Sequence, residues 1–227
     1  MAVFAGANIA FVPDENYGNG NPLVQEQLPV DSWGTRTLAL SFAGRLYGDT
    51  YRVLAPYSNT VVTISTNSGV MVLTNDTWQS YEIIVDGPVE FEANQPIQVA
   101  QFANGTDFDG AVPGIVGDPC EILLPPTGHY LETNIVVSLP SQWPDGDFGQ
   151  SYLNLIVVQS ATNSTWVDGS LVAAGDYVAI GTSGYYGAQV PLTTNGVHIV
   201  TSSKPVGVQV YGFGGDDAYG YFGGIVK

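Results

Sequence analysis

Hydrophobic and polar residues alternate along this chain in short runs. Thr60-Val-Val-Thr-Ile-Ser65, Val70-Met-Val-Leu73, Tyr81-Glu-Ile-Ile-Val85 and Val89-Glu-Phe-Glu-Ala93 are rich in β-branched and aromatic residues, which fit a pleated surface best. Turn clusters separate them: Thr66-Asn-Ser-Gly69, Thr74-Asn-Asp-Thr77 and Asp86-Gly-Pro88. Strands spaced about ten residues apart with such punctuation predict a β-sandwich or barrel. The longest apolar runs, such as Leu155-Ile-Val-Val158, are strand-sized and fall far short of the ~20 residues of a membrane-spanning helix.

The second half of the chain repeats the first. Thr37-Leu-Ala-Leu-Ser41 corresponds to a run beginning at Thr133, an offset of 96. Tyr51-Arg-Val-Leu-Ala55 matches Tyr152-Leu-Asn-Leu-Ile156 at 101, and Ala93-Asn-Gln-Pro-Ile-Gln-Val99 matches Ser202-Ser-Lys-Pro-Val-Gly-Val208 at 109. Offsets that grow only by loop insertions imply one unit of about 100 residues used twice. The expected fold is all-β: two tandem related antiparallel β-sandwich domains of jelly-roll-like form, residues 1–110 and 111–227, meeting where Gly, Pro and Asp concentrate near Gly105–Asp118.

Composition sharpens this picture. With 28 Gly and 14 Pro among 227 residues, long helices have little room. Hydrophobic residues make up 44%, enough for a core, while charged residues are only 11%, well below the usual quarter. Uncharged Ser, Thr, Asn and Gln supply the polarity instead, as suits an extracellular or virion surface. Five basic residues stand against 21 acidic ones, a net charge of −16. Nucleic acid and anionic membranes require clustered Lys and Arg, so neither is an expected partner, and no membrane insertion is expected. The single Cys120 excludes an intramolecular disulfide and a multi-thiolate zinc site.

A longer string is more specific. Gly196-Val-His-Ile-Val-Thr-Ser-Ser-Lys-Pro-Val-Gly-Val-Gln-Val-Tyr-Gly-Phe-Gly-Gly-Asp-Asp-Ala-Tyr-Gly-Tyr221 resembles the end of the IgGFc-binding protein N-terminal domain family. So do Ala10-Phe-Val-Pro13, Gln95-Pro-Ile-Gln-Val-Ala-Gln101, Gly117-Asp-Pro119 and Leu123-Leu-Pro-Pro126, in the same order along nearly the whole chain. The resemblance implies a secreted or surface-attached protein with an adhesive or structural role. It brings no residue motif for immunoglobulin binding with it.

Candidate chemistry is sparse. The acidic loops Asp107-Phe-Asp109-Gly110, Asp145-Gly-Asp147 and Asp216-Asp217 fall at expected strand ends. They read either as ordinary turns or as partial calcium sites, with Asp107, Asp109, Asp216 and Asp217 as the expected ligands. Glu90 and Glu92 share one strand face, opposite Val89 and Phe91, and read as a solvated edge rather than as a glycosidase pair. His198 lies inside a strand pattern and reads as structural; no G-x-S-x-G frames a nucleophile. Aromatics say more. Tyr185 and Tyr186 at the Gly184-Tyr-Tyr-Gly187 tip, with Tyr219, Tyr221 and Trp143, are expected either to plug the sandwich ends or to form a contact surface. The expected function is a non-catalytic adhesion or binding module that recognises a glycan or a protein through strand-end loops. The alternative is a structural building block of a virion, tail fibre or surface filament, with self-assembly into a homo-oligomer.

Overall fold

The computed structural model describes residues 2–140 and 148–226. An N-terminal hairpin comprises β1 (Phe4–Ala10) and β2 (Asn21–Glu26). A first sheet holds β3 (Gly34–Ala39), β4 (Asp49–Ala55), β5 (Thr60–Thr66), β6 (Gly69–Asn75), β7 (Gln79–Val85), β8 (Val89–Phe102) and β9 (Glu121–Leu124). A second holds β10 (Leu131–Ser138), β11 (Gln150–Val158), β12 (Thr165–Val167), β13 (Ser170–Leu171), β14 (Tyr177–Ala179), β15 (Tyr185–Leu192), β16 (Gly196–Phe213) and β17 (Ala218–Phe222). Every ladder is antiparallel. The all-β expectation therefore holds, as two curled antiparallel sheets.

The two longest strands make the sheets curl. The first half of β8 pairs with β3 and β5, its second half with β4 and β9. The first half of β16 pairs with β10 and β12, its second half with β11 and β17. Each sheet thus curls over an apolar core, and the first core also takes Tyr211 and Phe213 from the second sheet. Tyr51, Val53, Ile64, Phe91 and Val99 fill the first, and Leu153, Leu155, Val157, Val206 and Val208 the second. Alternate residues along each strand supply these side chains, the period that a one-sided strand imposes. Each fully buried side chain of this size contributes about 1.5–3 kcal/mol.

The ladders of the two sheets share one register. With β8 and β16 aligned at an offset of 109, Gly34↔Ile97 corresponds to Leu131↔Val206, and Leu38↔Glu90 to Ile135↔Ile199. The bulge that follows Gly34 recurs after Leu131. Tyr51↔Gln101 corresponds to Leu153↔Val210, Ile64↔Phe91 to Val167↔Val200, and Gln101↔Ile122 to Val210↔Tyr221. Two offsets differ by one from those expected: β3 to β10 is 97, not 96, and β4 to β11 is 102, not 101. The reason is the period of two. Matching Tyr51 to Tyr152 sets a core residue of one sheet against an outward residue of the other, and a one-residue slip turns every side chain to the wrong face.

The outer face of β11 and β16 packs against the first sheet. Leu38 and Leu40 meet Tyr130, Ile156 and Ile180, with Tyr185 and Phe222 alongside. Close approach is possible because two positions of the second sheet at this seam are glycine. A Cβ on Gly187 would lie 2.5 Å from a Leu40 methyl, and one on Gly207 would lie 2.6 Å from the Tyr130 ring. Buried amides knit the same seam. Gln209 Nε2 donates to Gln101 Oε1 at 2.7 Å, Asn154 Nδ2 to the Leu40 and Ser41 carbonyls, and the Tyr211 hydroxyl to Asn154 Oδ1 at 2.8 Å. In the first sheet the corresponding outer face, Ala100, Phe102 and Leu123, is covered by Val12 and Leu23 of the N-terminal hairpin and its connection.

Candidate functional site

Apart from Phe4 on β1, the exposed aromatics among the described residues lie near the two ends of β4. Tyr57 follows its last residue and Tyr47 precedes its first. At the Tyr57 end the β6–β7 turn carries Trp78, which is 61% exposed with a φ of +59°. A bulky side chain in the left-handed region is an outlier with a real conformational cost. The turn is held there by three bonds: the Trp78 amide donates to the Ala55 carbonyl at 2.7 Å, the Gln79 amide to the Asp76 carbonyl, and the Asp76 amide to Gln79 Oε1. Trp33 meets the indole edge-on at 6.5 Å and donates its own Nε1–H to the Leu28 carbonyl. Trp33 is thus a fixed base, while Trp78 and Tyr57 present free apolar faces.

At the other end Phe108 is flanked edge-on by Tyr17 and Tyr47, at 5.0 and 6.3 Å. A buried ion pair holds this loop cluster. Arg45 Nε lies 2.7 Å from Asp109 Oδ2, both side chains 1% exposed. Asp109 Oδ1 accepts the Leu46 and Tyr47 amides. Arg45 donates to the carbonyls of Asn104 and Val116 and sits over the Phe213 ring. One of the four expected calcium ligands is therefore committed to a guanidinium. Asp107 is exposed and accepts the Gly18 amide. Asp216 is exposed, and Asp217 accepts the Ala218 amide and a bond from Asn21. Among the described residues, no three His, Cys, Asp or Glu side chains converge to hold a metal.

The tyrosines singled out in the sequence are half-buried and lie on different strands. Tyr185 joins the seam between the sheets beneath the Arg36 guanidinium, 5.3 Å from its ring centre. Arg36 in turn pairs with Glu90 at 2.6 Å and donates to the Ser183 carbonyl. Tyr186 packs on the second core. Tyr219 and Tyr221 are brought together on β17, where their hydroxyls tie down β10. Tyr221 accepts the Val137 amide and donates to the Val137 carbonyl, and Tyr219 accepts the Leu139 amide. Trp143 and the Asp145–Asp147 loop lie outside the described residues.

One arrangement was not legible in the sequence. Ser138 Oγ lies 3.1 Å from His198 Nε2, and His198 Nδ1 lies 2.7 Å from Asp168 Oδ2. The order of contacts is that of a hydrolase triad, set in the interior of the protein. Ser138 is fully buried. Its hydroxyl donates to the Thr194 carbonyl and accepts the Gly196 amide. His198 Nε2 also faces the Thr194 carbonyl at 3.1 Å. Nε2 thus has two neighbours, the Ser138 hydroxyl and the Thr194 carbonyl, while Nδ1 faces the Asp168 carboxylate. Asp168 is held below its usual range; burial opposes this, and hydrogen bonds from His198 and the Ile199 amide win. It occupies a left-handed Asp-Gly hairpin turn with Gly169. The three residues latch the β12–β13 hairpin to the β10–β16 ladder.

Several other groups are shifted by burial. Asp49 is raised to about 7, chiefly by desolvation, which outweighs its bonds from Gln101 and the Phe42 amide. Asp118 is raised to about 6 by burial and by the neighbouring Asp216 and Asp217. The Cys120 thiol is pushed to about 12 by burial, so it is inert. A cleft of about 420 Å³ opens between the sheets beside Ser41, Arg45, Asp86, Asp176 and Gln189.

No helix of the described residues is long and apolar enough to cross a membrane. No curated protein matches the chain, and no solved structure matches it. A family model does, over residues 1–212, and by that match the chain belongs to the family described as IgGFc binding protein.

Proposed function

We propose that this chain is a non-catalytic binding module of the extracellular or cell-surface space that grips a protein partner through its strand-end loops. The family description names a protein ligand. The observation that carries the reading is Trp78, an exposed indole on a left-handed backbone beside the exposed Tyr57. Folded chains hold such outliers where a function uses them. Trp and Tyr are the side chains most enriched at the energetic centres of protein interfaces. With only five basic residues and a net charge of −16, the matching partner surface is neutral or basic.

We also infer that the common register reflects an ancestral duplication. The junction then falls between Leu124 and Leu131, because β9 completes the first ladder scheme as β17 completes the second.

The test is surface-plasmon binding of the full chain to an immunoglobulin Fc fragment, beside a glycan array. Trp78→Gly removes the indole and relieves the positive φ, so it preserves folding. The expected result is Fc binding that weakens at least about tenfold in Trp78→Gly, at an unchanged melting temperature. No Fc binding, Fc binding indifferent to Trp78, or a glycan ligand in place of Fc overturns the reading.

A further inference from the structure

The curl of the first sheet is left open between β6 and β7. Among the described residues β6 pairs with β5 alone and β7 with β4 alone. The two strands meet at the Trp78 turn and part beyond it, and a groove of about 620 Å³ opens between them over Ile64, Met71, Ile83 and Val85. At the turn itself the Asn75 side chain donates to the Gln79 carbonyl and closes the edge. From Ser80 to Ile84, β7 has a ladder partner on one side only. Natural edge strands are guarded by Lys, Pro, bulges or a covering element. Gly69-Val-Met-Val-Leu-Thr-Asn75 has no charge and no proline, and its ladder with β5 runs without a bulge. The one charge of β7, Glu82, is paired with Arg52.

Elsewhere the protein guards such edges. The Tyr221 hydroxyl takes up both the amide and the carbonyl of Val137 on β10. In the second sheet β14 lies along the outer edge of β15, pairing Tyr177 with Ala188 and Ala179 with Tyr186. β15 is the counterpart of β7: Val190 stands opposite Leu153 as Ile83 stands opposite Tyr51. The covering strand comes from the connection. Residues 172–184 join β13 to β15 and carry β14, whereas residues 76–78 alone join β6 to β7. The first sheet lacks the length of chain with which the second covers this edge.

We propose that the free edge of β7 takes an extended segment of a partner protein, added as one more strand in the way that β14 is added to β15. This assignment rests on the reading of the chain as a binder of a protein partner, and it names how the partner's main chain is held. A row of backbone donors and acceptors with no ladder partner is matched by another backbone in extended form. The groove beside it is floored by Ile64, Met71, Ile83 and Val85, with Asp86 the one charged residue of its lining. The segment therefore carries apolar residues at alternate positions. With a net charge of −16 on the chain, it is neutral or basic rather than acidic. The occupied counterpart is itself a single uncharged strand, Tyr177–Ala179. A segment lying along β7 from Ile84 toward Ser80 runs to the Trp78 turn, so strand and indole engage the same partner.

The test is amide hydrogen exchange of the full chain with three additions. The first is a synthetic peptide of residues 173–181, which contains β14. The second is the same peptide N-methylated at Tyr177, Val178 and Ala179, which removes donors from both its edges. The third is an immunoglobulin Fc fragment. The expected result is exchange at residues 80–84 slowed at least about tenfold by saturating native peptide and by Fc, with no slowing by the N-methylated peptide and none at β15. No protection by the native peptide, equal protection by the N-methylated one, or protection confined to β15 overturns the proposal. Protection that appears on concentrating the chain alone gives the edge to a second copy and overturns it as well. Fc binding that needs Trp78 but leaves residues 80–84 exchanging freely overturns strand addition while the Fc reading stands. Without any Fc binding that reading falls, and the two peptides decide the strand edge by themselves.

Discussion

Leu38 and Ile135 occupy the same position in one strand-pairing scheme, yet Leu38 is 1% exposed and Ile135 is 69% exposed. Both branched side chains sit on the outward face of the strand that leads each sheet. What differs is whether another sheet lies over them. Truncation should therefore have opposite consequences. Leu38→Ala opens a cavity between Tyr130, Ile156 and Ile180 and is expected to lower stability by about 2–5 kcal/mol. Ile135→Ala should stay within about 0.5 kcal/mol in dilute solution. Urea unfolding of both variants measures this, and equal losses would show that the seam between the sheets is not a real core.

Gly187 and Gly207 make the same seam sensitive to added volume. The space a methyl needs is taken by Leu40 at the first and by Tyr130 at the second. Neither glycine has a left-handed backbone, so the effect of substitution is steric and not conformational. Gly187→Ala and Gly207→Ala are each expected to destabilise by about 1–3 kcal/mol. Gly175→Ala, which meets nothing within 4 Å, is the control. If all three melt alike, the sheets pack less closely than described.

The strands themselves were legible because their period is local. Val89-Glu-Phe-Glu-Ala93 places Val89 and Phe91 inward on the evidence of alternation alone, and both are buried. The correspondence of strands between the two halves was legible to within one residue and no better, since chemical identity led Tyr51 to Tyr152, whereas the ladder puts Leu153 in that place. The site was less legible, for reasons of distance. Asp109 looks like a ligand until Arg45, 64 residues earlier, meets it in the interior. Tyr219 and Tyr221 look like rim aromatics until β17 lies beside β10 and their hydroxyls find Val137 and Leu139. Trp78 is identifiable as a loop aromatic, but its backbone sign depends on the bond to Ala55.

Asp49 should make stability fall toward alkaline pH. Its folded value is about 7 against an ordinary 3.8, so between these limits the folded chain holds a proton that the unfolded chain has released. That contribution is fully present below about pH 4 and is lost as pH rises through about 7. Asp118, raised to about 6, acts in the same direction. Asp168, held low, acts in the opposite one, and its contribution is lost only as pH falls through its folded value. The chain is therefore expected to be more stable at pH 5 than at pH 8, by something on the order of a few kcal/mol. Asp49→Asn keeps an acceptor for Gln101 and the Phe42 amide and should remove most of that difference. Denaturant midpoints across this range decide the matter, and a slope that survives the substitution would assign the effect to another group.

Ser138, His198 and Asp168 allow the sharpest separation of a structural reading from a catalytic one. As a latch, the serine hydroxyl serves the Gly196 amide and the Thr194 carbonyl inside the protein. Ser138→Ala then strands buried backbone groups and is expected to cost about 1–3 kcal/mol. A fluorophosphonate probe should leave the native chain unlabelled, since Ser138 is fully buried. A hydrolase would behave in the other way on both counts. It would form a covalent adduct at Ser138, and the alanine variant would lose ester hydrolysis while melting where the wild type does. Mass spectrometry of the probe-treated chain and a melting curve of Ser138→Ala, taken together, distinguish the two. An adduct on that serine would overturn the non-catalytic assignment, whatever the melting curve showed.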